Sequence, residues 1–311
     1  MAGMSASPKC HNPAMRVVSL LPSATEIVCA LGLADQLVGV THECDYPPEV
    51  LAKQRVTSTA LPASARSSAD IDAGIGRLLD EAQSIYHLDG NLLEQLQPDL
   101  VLTQELCDVC AVAYAEVNRA AAAVSSQPRV VSLEPNNIWQ VFDTIRQVGA
   151  LTGCEDRAEA YVAELRRRLD YVQSLIPKAA RRPRVYCMEW LDPPMRAGHW
   201  VPEMVELAGG EESFGSRDQP STKTSWAEIE DYAPEVIVLM PCGFDCTRTL
   251  EEAPLVRERC VQAGAKQVWA VNGSAYFSRP GPRLVDGVEI LAHILGHFDG
   301  ELPVDSAGRV S

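Results

Sequence analysis

The chain has 311 residues and a formal net charge of -15; at 33.8 kDa it is long enough for one large or two medium domains, each with its own core. That charge repels phosphate backbones and anionic headgroups, and nothing beyond Arg166-Arg167-Arg168 and Arg181-Arg182 offsets it, so nucleic acid is excluded as a partner. No stretch approaches the ~20 apolar residues of a membrane span, so no membrane insertion is expected.

Residues 1–14 read as a disordered N-terminus; with no charged region followed by an apolar one, they show no export signal. The 10 cysteines are scattered, and reduced thiols in a cytoplasmic protein are the expected state. Val17 to Leu21 is a buried-strand pattern that Pro22 stops. Ser23-Ala24-Thr25-Glu26 has the spacing of a capping box, opening a helix that runs through Leu31 and ends at Gly32. Its N-terminus is expected at the carboxyl end of the strand, where open α/β sheets bind ligands. Residues 60–89 predict a loop plus one helix from Ile71 to Ile85.

The pattern then repeats. Arg16-Val17-Val18-Ser19, Pro98-Asp99-Leu100-Val101-Leu102 and Arg129-Val130-Val131-Ser132 are matched by Arg184-Val185-Tyr186-Cys187, Pro234-Glu235-Val236-Ile237-Val238-Leu239 and Gln267-Val268-Trp269-Ala270-Val271. Two similar α/β lobes imply a cleft at their junction, where a small-molecule ligand binds. From Ile138 to about Ile176 the apolar spacing is helical, with Gly153 and Cys154 marking a kink and Pro177 ending it. Such a rigid spine predicts little lobe motion. The expected domains are an α/β lobe at 15–137, a spanning helix at 138–177, a second α/β lobe at 178–298 and a poorly anchored tail at 299–311.

Arg16 to Gly32, Val38 to Pro48 and Gln97 to Gln104 together resemble the Fe3+-siderophore and vitamin B12 class of periplasmic substrate-binding proteins of ABC transporters, most closely its cobalamin-binding branch. Similarity continues through Glu189-Trp190, Gly209-Gly210 and Tyr276 to Arg283, spanning residues 15 to 297. The resemblance implies a class III fold: two Rossmann-like lobes joined by one long helix, with a shallow cleft. It implies a corrinoid such as cobalamin as ligand, bound without catalysis and with no cofactor required. Importer members also present one carboxylate per lobe to permease arginines. Glu94 and Glu228 are the nearest here, and their unequal distances from Pro98 and Pro234 count against permease docking. Such members are exported or lipid-anchored, whereas this chain is expected in the cytoplasm.

Loops after strands should supply the ligand contacts. They give Pro22 and Ser23; His42, Glu43 and Tyr46, with Glu43 near the position of a family cleft aromatic; and Glu105 and Cys107. In the second half they give Glu189, Trp190, Met195, His199 and Trp200; Pro241 and Phe244; and Tyr276, Phe277 and Arg279, the last able with Arg283 to hold a carboxylate or phosphate. An aromatic-lined site suits a large, partly apolar ligand, with core packing the alternative for Trp190 and Trp200. The alternative function is a cytoplasmic enzyme, or a metal-thiolate or redox protein using Cys107, Cys110, Cys242 and Cys246. Gly74-Ile75-Gly76 lacks a third glycine, and neither a nucleophile elbow nor a phosphate-binding loop is present.

Overall fold

The computed structural model describes residues 10, 15–62, 64, 67–81, 84–105, 112–179 and 181–310. They form two compact units: Met1–Ser64, Gly74–Pro135 and Gln140–Glu164 make the first, and Ala65–Ala73, Asn136–Trp139 and Leu165–Ser311 the second.

The first half of the chain runs β1 (Val17–Ser19), α1 (Pro22–Ala30), β2 (Leu37–Val40), β3 (Gln54–Arg55), β4 (Thr57–Thr59), α2 (Ser68–Asp80), β5 (Tyr86–Leu88), α3 (Gly90–Leu96), β6 (Leu100–Thr103), α4 (Tyr114–Ala123), β7 (Arg129–Ser132) and α5 (Ile138–Thr152). Its sheet has the order β3-β2-β1-β6-β7 with every neighbouring pair parallel. β1 and β6 are buried along their whole length, as strands covered on both faces must be, so they read as unbroken apolar runs.

After α6 (Glu155–Leu175) come β8 (Val185–Trp190), β9 (Met195–Arg196), β10 (Gly198–His199), α7 (Val201–Leu207), β11 (Ser216–Arg217), β12 (Thr222–Lys223), α8 (Trp226–Tyr232), β13 (Val236–Leu239), α9 (Cys246–Glu252), α10 (Pro254–Gln262), β14 (Gln267–Val271), α11 (Gly273–Tyr276), α12 (Leu284–Ile294) and β15 (Ala307–Arg309). The second unit's sheet has the order β12-β9-β8-β13-β14-β15. β8, β13 and β14 are parallel, and β9, β12 and β15 extend the sheet antiparallel. The tail is thus anchored through β15, where an unanchored segment was expected.

The repeat has a physical cause. Arg16 N–H donates to Asp99 Oδ2 at 2.7 Å while its Nε donates to Leu96 O at 2.8 Å. In the second unit Arg184 N–H donates to Glu235 Oε1 at 3.3 Å and its Nε to Ala233 O at 2.9 Å. Each arginine therefore ties the first strand of its unit to the C-terminus of the helix before the neighbouring strand. Both helices, α3 and α8, end in a left-handed residue, Gln97 at φ 41° and Ala233 at φ 50°, followed by proline. Aligning those two residues sets Leu93 opposite Ile229, both fully buried, and Glu94 opposite Glu230 rather than Glu228. Glu94 accepts from the Ser125 N–H and Oγ at 2.9 and 2.7 Å. Glu228 closes a capping box with Ser225. These hydrogen bonds hold both carboxyls below the usual range.

The single spine is corrected. Gly153 adopts φ 67° and separates α5 from α6, because a left-handed glycine ends a helix and Glu155-Asp156 favour a new N-terminus. The two helices then turn onto each other: a Cβ on Gly149 would stand 2.5 Å from the Ala158 Cβ, and Arg146 bonds Glu159 at 2.7 Å. The long helix of the fold is α6 alone, 21 residues starting in the first unit and ending in the second.

The all-reduced cysteine expectation is also corrected. Cys10 and Cys154 form a disulfide, with a Cα separation of 4.5 Å across 144 residues of sequence. A contact so distant in sequence leaves no local pattern.

Candidate functional site

In parallel α/β sheets, the loops after the strands' carboxyl ends carry binding groups. In the first unit α1 starts two residues earlier than the capping-box reading requires. Leu21 is the N-cap and Pro22 takes the first helical position, since its fixed φ suits that site and its missing N–H costs nothing there. Ser23 and Glu26 are consequently buried inside the helix rather than capping it. Beneath it Thr25 Oγ1 donates to Ser19 Oγ at 2.9 Å and lies 3.1 Å from Cys44 Sγ.

After β2, His42 is fixed from below. Its Nδ1 lies 2.8 Å from Thr57 Oγ1, which is 2.8 Å from Thr41 Oγ1. Its Nε2 lies 3.6 Å from a Glu43 carboxylate oxygen, and its ring packs on Tyr86 with centroids 5.4 Å apart. Burial lowers the His42 pKa; Glu43 opposes that and Arg55 adds to it. Tyr46 is exposed and precedes a cis peptide to Pro47. After β6, Glu105 N–H donates to Glu134 Oε1 at 2.7 Å, and Ser132 Oγ donates to the same oxygen. Cys107 and Cys110 lie outside the described residues.

In the second unit β8 leads out through Glu189 and Trp190. Burial raises the Glu189 carboxyl, although Ser221 Oγ donates to it at 2.6 Å and the Gly198 N–H also bonds it. Trp190 is 8 % exposed and meets Phe244 edge-on at 5.5 Å, and its buried Nε1–H has no hydrogen-bond partner among the described residues. Met195 is half-buried in β9, where its carbonyl accepts from the Tyr186 hydroxyl at 3.0 Å. His199, at φ 50°, stacks on Trp200 with centroids 5.2 Å apart, and burial lowers its pKa. Trp200, Phe244 and Phe277 belong to the core.

The loop after β13 is close-packed at its base, since a Cβ on Gly273 would stand 2.5 Å from Pro241 O. At its far end Cys242 is exposed and Cys246 buried; burial, with Asp305 and Asp245, pushes the Cys246 thiol up to about 11. Among the described residues no group of three or more His, Cys, Asp or Glu is arranged to hold a metal ion. After β14, Tyr276 is buried and Arg279 Nη2 donates to Ser274 Oγ at 3.1 Å. Sequence reasoning missed Arg248, whose guanidinium carbon lies 3.6 Å from the Phe244 ring centroid. Its signal was an arginine in the first turn of the helix that Asp245 caps. Glu212 was missed too. It is 5 % exposed and burial raises it to about 7, even though it accepts from the Gly215 N–H at 2.9 and 2.8 Å.

The family model described as "Periplasmic binding protein" matches residues 17–258. A vitamin B12-binding protein of Vibrio cholerae is 24 % identical over 290 residues, covering 89 % of this chain and 87 % of that protein. The ABC transporter substrate-binding lipoprotein YvrC of Bacillus subtilis is 25 % identical over 290 residues, covering 89 % and 78 %. The crystal structure of a periplasmic heme binding protein from Pseudomonas aeruginosa superposes with a TM-score of 0.69 at 19 % identity, over 96 % of this chain and 98 % of that one. Two Rossmann-like units with α6 running from one into the other are the class III substrate-binding fold that the resemblance implied.

The cytoplasmic expectation is overturned. The family is periplasmic and one relative is a lipoprotein, so the comparisons point to an extracytoplasmic protein. The Cys10–Cys154 disulfide fits an oxidising compartment in the same sense. Matched over residues 17–258, the chain belongs to the periplasmic binding protein family.

Proposed function

We propose that the protein binds a corrinoid of the cobalamin type, or a comparably large cofactor or metal chelate, and releases it unchanged. Delivery to an ABC permease is part of this reading and rests on the family. The carrying observation is the chemistry at the carboxyl ends of the strands: among the described residues, aromatic and polar side chains such as His42, Trp190, His199, Phe244 and Tyr276 gather there. Burial, with Asp305 and Asp245, pushes the Cys246 thiol up to about 11, which works against a thiolate at that sulfur. His42 and His199 each pack on an aromatic ring, and among the described residues neither bonds a serine or cysteine. That favours binding over the enzyme and thiol-redox alternatives.

Titration with cyanocobalamin, followed by tryptophan fluorescence and by the corrin absorption band, tests the reading. A saturable one-to-one complex that returns intact cyanocobalamin on denaturation is expected. Absence of binding by cyanocobalamin and by hemin would remove it.

A further inference from the structure

Strand β7 ends the sheet of the first unit and pairs with β6 alone among the described strands. Arg129 N–H donates to Asp99 O and Leu133 N–H to Thr103 O, both at 2.9 Å. A strand alternates at every residue, so Arg129, Val131 and Leu133 turn their amides toward β6. Val130 and Ser132 turn theirs the other way, where no partner meets them among the described residues. Side chains do not seal this edge either, since Arg129 is exposed and Val130 and Ser132 are half-buried.

Beside the edge lies a hollow of about 360 Å³, lined by Asn118, Ala121 and Ala122 of α4 and by Gln127, Pro128 and Val130. Val130 borders it, so Arg129, the residue before, stands on the opposite face of the sheet. Arg119 flanks the hollow on α4, three residues before Ala122. Among the described residues neither Arg119 nor Arg129 makes an ion pair or a side-chain hydrogen bond. The neighbouring carboxylates are engaged elsewhere: Glu94 accepts from Ser125, Asp99 from Arg16 and Glu116 from the Leu88 N–H. A chain of net charge -15 thus leaves two cations uncompensated at an open strand edge.

We propose that β7 accepts an added strand from an acidic, extended segment of a partner protein. The segment's backbone pairs with Val130 and Ser132, and its side chains alternate between the hollow and Arg129. Main-chain bonds at a sheet edge supply affinity, while the positions met by alternate side chains supply selectivity. The small side chains around the hollow suit a small apolar residue, and the arginine forks suit carboxylates. This surface lies within the first unit and is independent of the corrinoid reading.

The probe is the acetylated, amidated octapeptide Glu-Val-Glu-Ala-Glu-Val-Glu-Ala, added to the full chain and followed in proton–nitrogen amide spectra. The Val130 and Ser132 amides are expected to shift saturably, and added salt should weaken the complex. Arg119→Gln and Arg129→Gln should each weaken it about two- to fivefold. Ser132→Pro removes an amide that the ladder does not use, so it should fold as the wild type does and lose the peptide. The same peptide with lysine in place of glutamate should not bind, and comparing the two peptides on the wild type needs no variant to fold. If neither amide responds to the glutamate peptide at millimolar concentration, the arginines serve only to keep the edge unpaired, and the proposal falls. Equal binding of the lysine peptide, or a chain that sediments as a dimer with those two amides protected, overturns the acidic partner.

Discussion

The indole Nε1–H of Trp200 donates to the Phe277 carbonyl oxygen at 2.7 Å, joining the N-cap of α7 to the end of α11. Trp200 is 7 % exposed, so most of its surface is committed to this joint rather than to a ligand. Trp200→Ala is therefore expected to cost about 3–5 kcal/mol of folding stability. Trp200→Phe, which keeps a ring but orphans the carbonyl, should cost about 1–3 kcal/mol. Urea denaturation checks both, and an unshifted midpoint for Trp200→Ala would return the residue to the ligand contacts.

Removing the disulfide should loosen the first unit measurably. Closing a loop of 144 residues restricts the unfolded chain, and losing such a bond typically costs about 2–5 kcal/mol. Cys10→Ser should melt several degrees below the wild type, and reductant should lower the wild type to the same temperature. Identical melting with and without reductant would show that the thiols are not joined.

Glu212 gives a pH dependence of unusual sign. Its carboxyl titrates near pH 7 when folded, above its ordinary value of 4.5, because burial penalises the charge. The folded state thus holds a proton that the unfolded chain has released. The stability this gives is full below the unfolded value and is lost as pH rises from about 4.5 to about 7, amounting to roughly 3 kcal/mol. In Glu212→Gln this loss should disappear, so the variant gains on the wild type at pH 8 relative to pH 5. Denaturation curves at the two pH values decide it, and an equal wild-type to variant difference at both would refute the assignment.

Arg168 holds Asp286 and Glu289 together on α12, with Nη2 2.5 and 2.6 Å from their oxygens. Replacing it with Met would leave two partly buried carboxylates facing each other, at a cost of roughly 2–4 kcal/mol. Lowering the pH far enough to protonate one of them should recover part of that loss. An Arg168→Met variant as stable as the wild type at pH 7 would show the network to be dispensable.

The sheet strands were legible because both of their faces are covered. β1, β6 and β13 are apolar runs with turn signals at their ends, which periodicity detects. The Pro-acid pairs were legible as the start of the next strand run, whereas the left-handed caps at Gln97 and Ala233 just before them were not. Partners chosen by three-dimensional packing were not legible. Nothing near Cys10 announces Cys154, and nothing in Trp200 separates a ring stacked on a ligand from one bonded to Phe277. The S-x-x-E spacing at Ser23 misled because the rigid ring of Pro22 claimed the helix start first. β9 to β12, each two residues long, fall below any period a sequence can display.

The left-handed turn at Gly153 also bears on how this chain can change over generations. In one unbroken helix, inserting a residue rotates every later side chain by about 100°, so length and facing cannot vary separately. A break isolates them. Additions or deletions in the exposed part of α5 can be taken up at Gly153 and Cys154, leaving the facing of the buried α6 residues Ala158, Val162, Leu165, Leu169 and Val172 unchanged. Among homologues, length changes should collect before residue 153 and be rare between 155 and 175.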